Sequence, residues 1–110
     1  MSKICTTIEQ SKKLMELGID VNTADMYWWY GGKVYYVEAM EDGDFNKESD
    51  IPCWSLSALL ELIDNKAGIA KEYGTWFSYD NGKSHCGKHC DNPLDAVFEM
   101  VVWLLENKKL

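Results

Sequence analysis

The apolar positions of this chain switch between two periods. Near the N-terminus, Leu14 and Leu17 lie three apart with Ile8 and Met15 beside them, the spacing of one helix face. The spacing predicts a helix over residues 7–17. Thr7 is placed to cap it, and Gln10 stands three residues on to complete a capping box. Gly18 follows where a left-handed C-cap is needed, and Lys12 and Lys13 fall toward the end that favours positive charge.

Residues 26–30 (Met-Tyr-Trp-Trp-Tyr) and 33–37 (Lys-Val-Tyr-Tyr-Val) are aromatic and β-branched, so they predict two strands. Gly31-Gly32 between them suits a two-residue primed turn. Residues 38–50 predict an acidic loop, from which Ile51-Pro52-Cys53-Trp54 leads into a second helix over residues 55–63. Ser55 caps that helix, Trp54 and Leu59 suit a hydrophobic staple, and Leu56, Leu59, Leu60 and Ile63 have helical spacing. Residues 64–68 break the pattern. Residues 75–79 predict a strand, Asn81-Gly82 a tight turn, and Lys83 onward its return. The last helix starts with Asn92 as cap and Pro93 at its first position, with Asp95 in its first turn. Leu94, Val97, Phe98, Val101, Leu104 and Leu105 make its apolar stripe, flanked by Trp103. The predicted order is α-β-β-α-β-β-α, an α+β fold. Its antiparallel sheet has about four strands and carries helices mainly on one face.

At 110 residues the chain is expected to form one domain over residues 1–110. Eighteen acidic residues against eleven basic ones give a net charge of −7, and every basic residue is a lysine. That balance excludes conventional nucleic-acid binding, which needs phosphate neutralisation, and the guanidinium fork that clamps phosphate or reads guanine is missing. An anionic membrane surface is disfavoured on the same ground. The longest apolar stretch, residues 94–105, is too short to span a bilayer and contains Asp95 and Glu99. The first residues turn polar too soon for the apolar core of a signal peptide. A cytoplasmic protein is expected, with Cys5, Cys53, Cys86 and Cys90 as thiols or metal ligands.

Candidate chemistry is sparse. His85, Cys86, His89 and Cys90 supply the ligand types of a zinc site. All four fall within six residues, and along a strand the two histidines point to one side and the two cysteines to the other. A turn at Gly87-Lys88 would allow a partial site with Cys5 or Cys53; the other reading is a polar strand end. A Cys–His nucleophile pair there lacks the third group that orients the base. Asp42-Gly43-Asp44-Phe45-Asn46 begins like a calcium loop, but Lys47 stands at the glycine position and Cys53 at the bidentate glutamate position.

Aromatic residues make up 13% of the chain, and Tyr27, Trp28, Trp29, Tyr30, Tyr35, Tyr36, Trp54, Trp76 and Tyr79 concentrate in and near the predicted strands. Core packing accounts for most of them. Asp25, Trp28, Tyr30, Tyr35 and Trp54 are the candidates for a partner or ligand surface, because tyrosine and tryptophan combine large area with a polar handle. An enzyme would use a cleft around Asp25, Trp54 and nearby tyrosines, but no catalytic motif names a catalytic residue.

Four segments carry a resemblance. They are Glu9-Gln10-Ser11, Thr23-Ala24-Asp25-Met26, the stretch Pro52-x-Trp54-Ser55-Leu56-Ser57-x-Leu59-Leu60, and Asn92-Pro93-Leu94-Asp95-Ala96. With them the chain resembles a family of small uncharacterised proteins from gut Bacteroides and related bacteria, often encoded near phage or mobile-element genes. The resemblance implies an intracellular α+β protein and assigns no catalytic residue; the His85–Cys90 segment is not part of it.

These observations together point to a small acidic, non-catalytic interaction or accessory protein, without cofactor, that binds a protein partner or a second copy of itself. A metal-binding domain built on the His85–Cys90 segment is the alternative, and a small-ligand binding protein or enzyme the second alternative. A metal site in that segment predicts about one zinc or iron per chain by elemental analysis of purified protein; metal-free protein rejects it.

Overall fold

The computed structural model describes residues 4–64, 66–80 and 89–108. Helix α1 (Ile8–Glu16) and a 3₁₀ turn (Val21–Thr23) precede strands β1 (Met26–Tyr30) and β2 (Tyr35–Ala39). A second 3₁₀ turn (Met40–Asp42) leads to β3 (Ile51–Cys53) and α2 (Leu56–Ile63), followed by β4 (Ala67–Glu72), β5 (Thr75–Asp80) and α3 (Pro93–Glu106). The class is α+β with antiparallel pairing, as expected.

The helices sit where their end signals place them. Thr7 accepts from the Gln10 backbone N–H at 3.1 Å, and the Gln10 side chain accepts from the Thr7 backbone at 2.9 Å, closing the capping box. At the other end Gly18 takes φ +91°, Gly18 N–H donates to Met15 and Ile19 N–H to Leu14, a Schellman motif with Leu14 and Ile19 packed in the core. Ser55 caps α2 through Ala58 N–H. Asn92 caps α3 through Asp95 N–H, and the Asn92 amide returns a bond to the Asp95 carboxylate.

The core lies between α2, α3 and the β4–β5 sheet, with α1 contributing Leu14. Its largest buried side chains include Trp54, Leu59, Ile63, Leu94, Met100 and Leu104. A fully buried side chain of this size contributes about 1.5–3 kcal/mol by leaving water. A cap contributes about 1 kcal/mol. The apolar seam therefore outweighs the local signals that start and stop the helices. Ala96 and Met100 of α3 are buried beyond the expected stripe because that helix packs on α2 and on β5 at once. Among the described residues no helix is long and apolar enough to cross a membrane.

The sheet differs from expectation. Instead of about four strands in one sheet there are two sheets, one in the order β2-β1-β3 and one pairing β4 with β5. The two hairpins do not join because their inner edges are taken. β3 pairs with β1 (Met26 opposite Cys53, Trp28 opposite Ile51), and Cys90 bridges β5 at Trp76 through bonds of 2.8 and 2.6 Å. Pro52 is tolerated because β3 is an edge strand. The first hairpin turns through four residues rather than two: Tyr30 pairs with Tyr35, and Gly31 N–H donates to Val34. The shift of two residues keeps every side chain on its expected face. The second hairpin turns at Tyr73-Gly74, both at positive φ, and its first strand is β4. The Asn81-Gly82 turn and the return from Lys83 lie outside the described residues; at Cys90 the chain is again antiparallel to β5.

Ser78, fully buried on β5, has no hydrogen-bond partner for its hydroxyl among the described residues. An unsatisfied buried hydroxyl costs about 1–3 kcal/mol. Ser78→Ala is therefore expected to leave stability unchanged or raise it by up to about 1 kcal/mol in urea unfolding; a loss larger than that means the hydroxyl is bonded in solution.

Candidate functional site

The hairpin of β1 and β2 has an anchored foot and an uncovered end. Alternation places Tyr27, Trp29, Tyr36 and Glu38 on one face and Trp28, Tyr30, Tyr35 and Val37 on the other. At the foot both faces are tied down. Tyr27 is buried, its hydroxyl donates to the Glu38 carboxylate at 2.8 Å, and Phe45 meets its ring edge-on at 5.5 Å. On the opposite face the Trp28 indole donates to the Thr6 carbonyl at 2.9 Å.

At the end of the hairpin the rings pair across the strands. Trp29 stacks on Tyr36 with centroids 4.8 Å apart, and on the other face Tyr30 lies 5.1 Å from Tyr35. Such pairs contribute about 0.2–1 kcal/mol each, enough to hold the strands together without burying the rings. The four rings and Val34 remain 36% to 55% exposed.

Of the candidate surface residues, Tyr30 and Tyr35 come together as this exposed pair, with Trp28 half-buried on the same face. Asp25 stands at the foot of β1, where its carboxylate accepts from the Ser55 backbone at 2.9 Å and from the Ser55 hydroxyl. It thereby steadies the residue that caps α2. Trp54 is a correction. It is 0% exposed, packs in the core, and its indole donates to Thr23 at 2.9 Å, so it offers nothing to a partner. Its staple position before α2 already called for an inward side chain. Trp29, Tyr36 and Val34 complete the patch and were absent from the narrowed candidate set; alternation along the two strands was the signal that pairs Trp29 with Tyr36.

Of the metal candidates, His85 and Cys86 lie outside the described residues. His89 is exposed, shares a 2.7 Å hydrogen bond with Thr75 and lies 5.1 Å from the Phe77 ring, while Cys90 is buried. Among the described residues no group of three or more His, Cys, Asp or Glu side chains is placed to hold a metal. Cys5 and Cys53 are buried neighbours. The hydrogen bond from Cys53 lowers the Cys5 thiol against the opposing effects of burial and Asp25. The same bond, burial and the charges of Cys5 and Asp25 push Cys53 up.

Two concavities adjoin the hairpin foot. An apolar groove of about 440 Å³ is lined by Met15, Val21, Ala24, Met40, Phe45 and Pro52, with Asn22 and Lys47 as its polar groups. A shallower cleft of about 360 Å³ has Met26, Ala39 and Met40 in its lining, together with the carboxylate residues Asp25 and Glu41.

Residues 9–11, 23–26, 52–60 and 92–96, the four motif segments of the sequence, meet one another: Gln10 donates to Asp95 at 2.9 Å, Thr23 receives Trp54, and Asp25 holds Ser55. Those motif residues secure helix ends and the core entrance, and none of them belongs to the exposed aromatic pairs.

Tyr27 has a measurable signature. The hydrogen bond to Glu38, burial, and the charges of Glu38, Asp50 and Asp44 push its hydroxyl up to about 12. A raised value favours the protonated form in the fold. This contribution to stability is therefore present below about pH 10 and lost as pH rises through about 12. Titration of tyrosinate absorbance is expected to show one group ionising near 12, and Glu38→Gln to return it toward about 10; an unchanged curve in the variant refutes the pairing.

The chain matches no protein-family model, no curated protein and no solved structure.

Proposed function

We propose that this chain is a small acidic, non-catalytic interaction protein, an accessory factor of phage or mobile-element origin, that binds a protein partner through the end of the β1–β2 hairpin. What supports the binding role is the exposure of four aromatic rings in two cross-strand pairs, on a projection whose foot is fixed on both faces. Rings of this kind dominate protein interfaces when a partner covers them. Holding them in pairs beforehand reduces the ordering cost of association. The net charge of −7 keeps the chain soluble while the rings are uncovered, and it favours a basic partner. The origin rests on the family resemblance of the four motif segments.

A second reading, small-ligand binding, is favoured by the 440 Å³ groove beside Phe45, whose lining has Lys47 as its one ionisable side chain.

The partner role is tested by affinity capture of the tagged full chain from its native host, with proteins identified by mass spectrometry. The comparison is a Trp29→Ser, Tyr30→Ser double variant, which removes one ring from each face. Loss of two interface aromatics is expected to cut recovery of a specific partner at least about tenfold. Equal recovery by the two proteins rejects the hairpin as the binding surface.

A further inference from the structure

Among the described residues the outer edge of β2 is an unpaired row of backbone groups. Gly31 N–H donates to Val34, and Met40 N–H donates to Asp25. These two bonds fix the alternation between them. Tyr36 and Glu38 turn their backbone groups toward β1, while Tyr35, Val37 and Ala39 turn theirs outward, where no described strand pairs with them. Sheet edges are normally protected by proline, a bulge, an inward-pointing charge or a covering element. The outward positions of β2 hold tyrosine, valine and alanine instead.

The edge also has an electrical polarity. Lys33 stands at the turn end, and Glu41 follows the foot of the strand. From Tyr35 to Ala39 the edge runs about 13 Å at about 3.3 Å per residue, the length of about five extended residues.

We infer that β2 is a docking edge at which an extended segment of a partner protein joins the sheet as a fourth strand, its apolar side chains beside Tyr35 and Val37 and a lysine or arginine at the foot beside Glu41. Main-chain bonds along the edge supply affinity, and alternate side chains supply selectivity. The Glu41 carboxylate and the net charge of −7 favour a basic segment over an acidic one. A second copy of this chain fits less well, since it brings seven further net negative charges to an acidic surface. The inference rests on the partner-binding role of the hairpin and adds the form and charge of what binds.

The test uses acetylated, amidated octapeptides of alternating valine and threonine with two lysines at one end or the other, so that either strand direction is sampled. Counterparts carry glutamate in place of lysine. Binding to the full chain is measured by calorimetry at low ionic strength. One lysine peptide is expected to bind at least tenfold more tightly than its glutamate counterpart. Val37→Pro, which removes an outward N–H without breaking a bond to β1, is expected to weaken that binding at least tenfold. Glu41→Lys leaves the backbone intact and is expected to erase the preference for lysine, which keeps the test decisive should the proline variant unfold. Equal affinity for lysine and glutamate peptides overturns the inference. So does full binding by a folded Val37→Pro chain, or a wild-type dimer in sedimentation that Val37→Pro dissolves. If host partners are lost with the Trp29, Tyr30 variant but kept by a folded Val37→Pro chain, the edge inference fails and the hairpin role stands. If the Trp29, Tyr30 variant keeps them, the wider role fails.

Discussion

Thr6 is the residue on which the three parts of the molecule converge. It is fully buried, and its backbone N–H donates to the Trp54 carbonyl at 2.9 Å while its hydroxyl accepts from the Trp54 N–H at 3.1 Å and bonds Ser11 at 2.8 Å. Its carbonyl receives the Trp28 indole. One side chain and its peptide groups thus join α1, the first sheet and the entrance to α2. A buried polar group left without partners costs more than its bond contributes. Every group of Thr6 and Trp54 therefore has to be satisfied together, and that requirement fixes where β3 runs and how α2 enters the core.

The exposed surface follows from the same constraint. Because the Thr6–Trp54 contact holds β3 against β1, the first sheet grows on that side and ends at β2 on the other. The foot of the hairpin is then closed by Tyr27–Glu38 on one face and Trp28–Thr6 on the other. Beyond Trp28 no further element among the described residues packs on the hairpin, and the exposed aromatic residues there stand in pairs. The binding surface is what remains once the anchoring groups are used.

How much of this was legible in the chain depended on whether the signal was local. The three helices were readable because Thr7, Gln10, Gly18, Ser55, Asn92 and Pro93 act on their own neighbours. β1 and β5 were readable from aromatic content. β3 was not, because three residues containing a proline carry no strand pattern and the strand exists by pairing with Met26 and Trp28. β4 was not, because Ala67, Gly68 and Ala70 have weak strand preference; Tyr79 opposite Gly68 fills the space a side chain would occupy there. Tyr30 and Tyr35 were both named as surface candidates, but their meeting depends on a register two residues from the expected one, and Trp54 was named with them although its staple position before α2 points inward. The open edge of β2 was beyond local reading, since it depends on which strand pairs with which.

Gln10 has a consequence for how the protein is made. Its amide closes the cap of α1 and reaches 85 residues along the chain to Asp95, which belongs to the cap of α3. During synthesis the N-terminal helix emerges first, yet its cap acquires this partner only after Asp95 has been added. At a translation rate of about 5–20 residues per second, that interval is roughly 4 to 17 s. The contact between the N-terminal caps of α1 and α3 therefore forms only once the 85 residues separating its partners have been made.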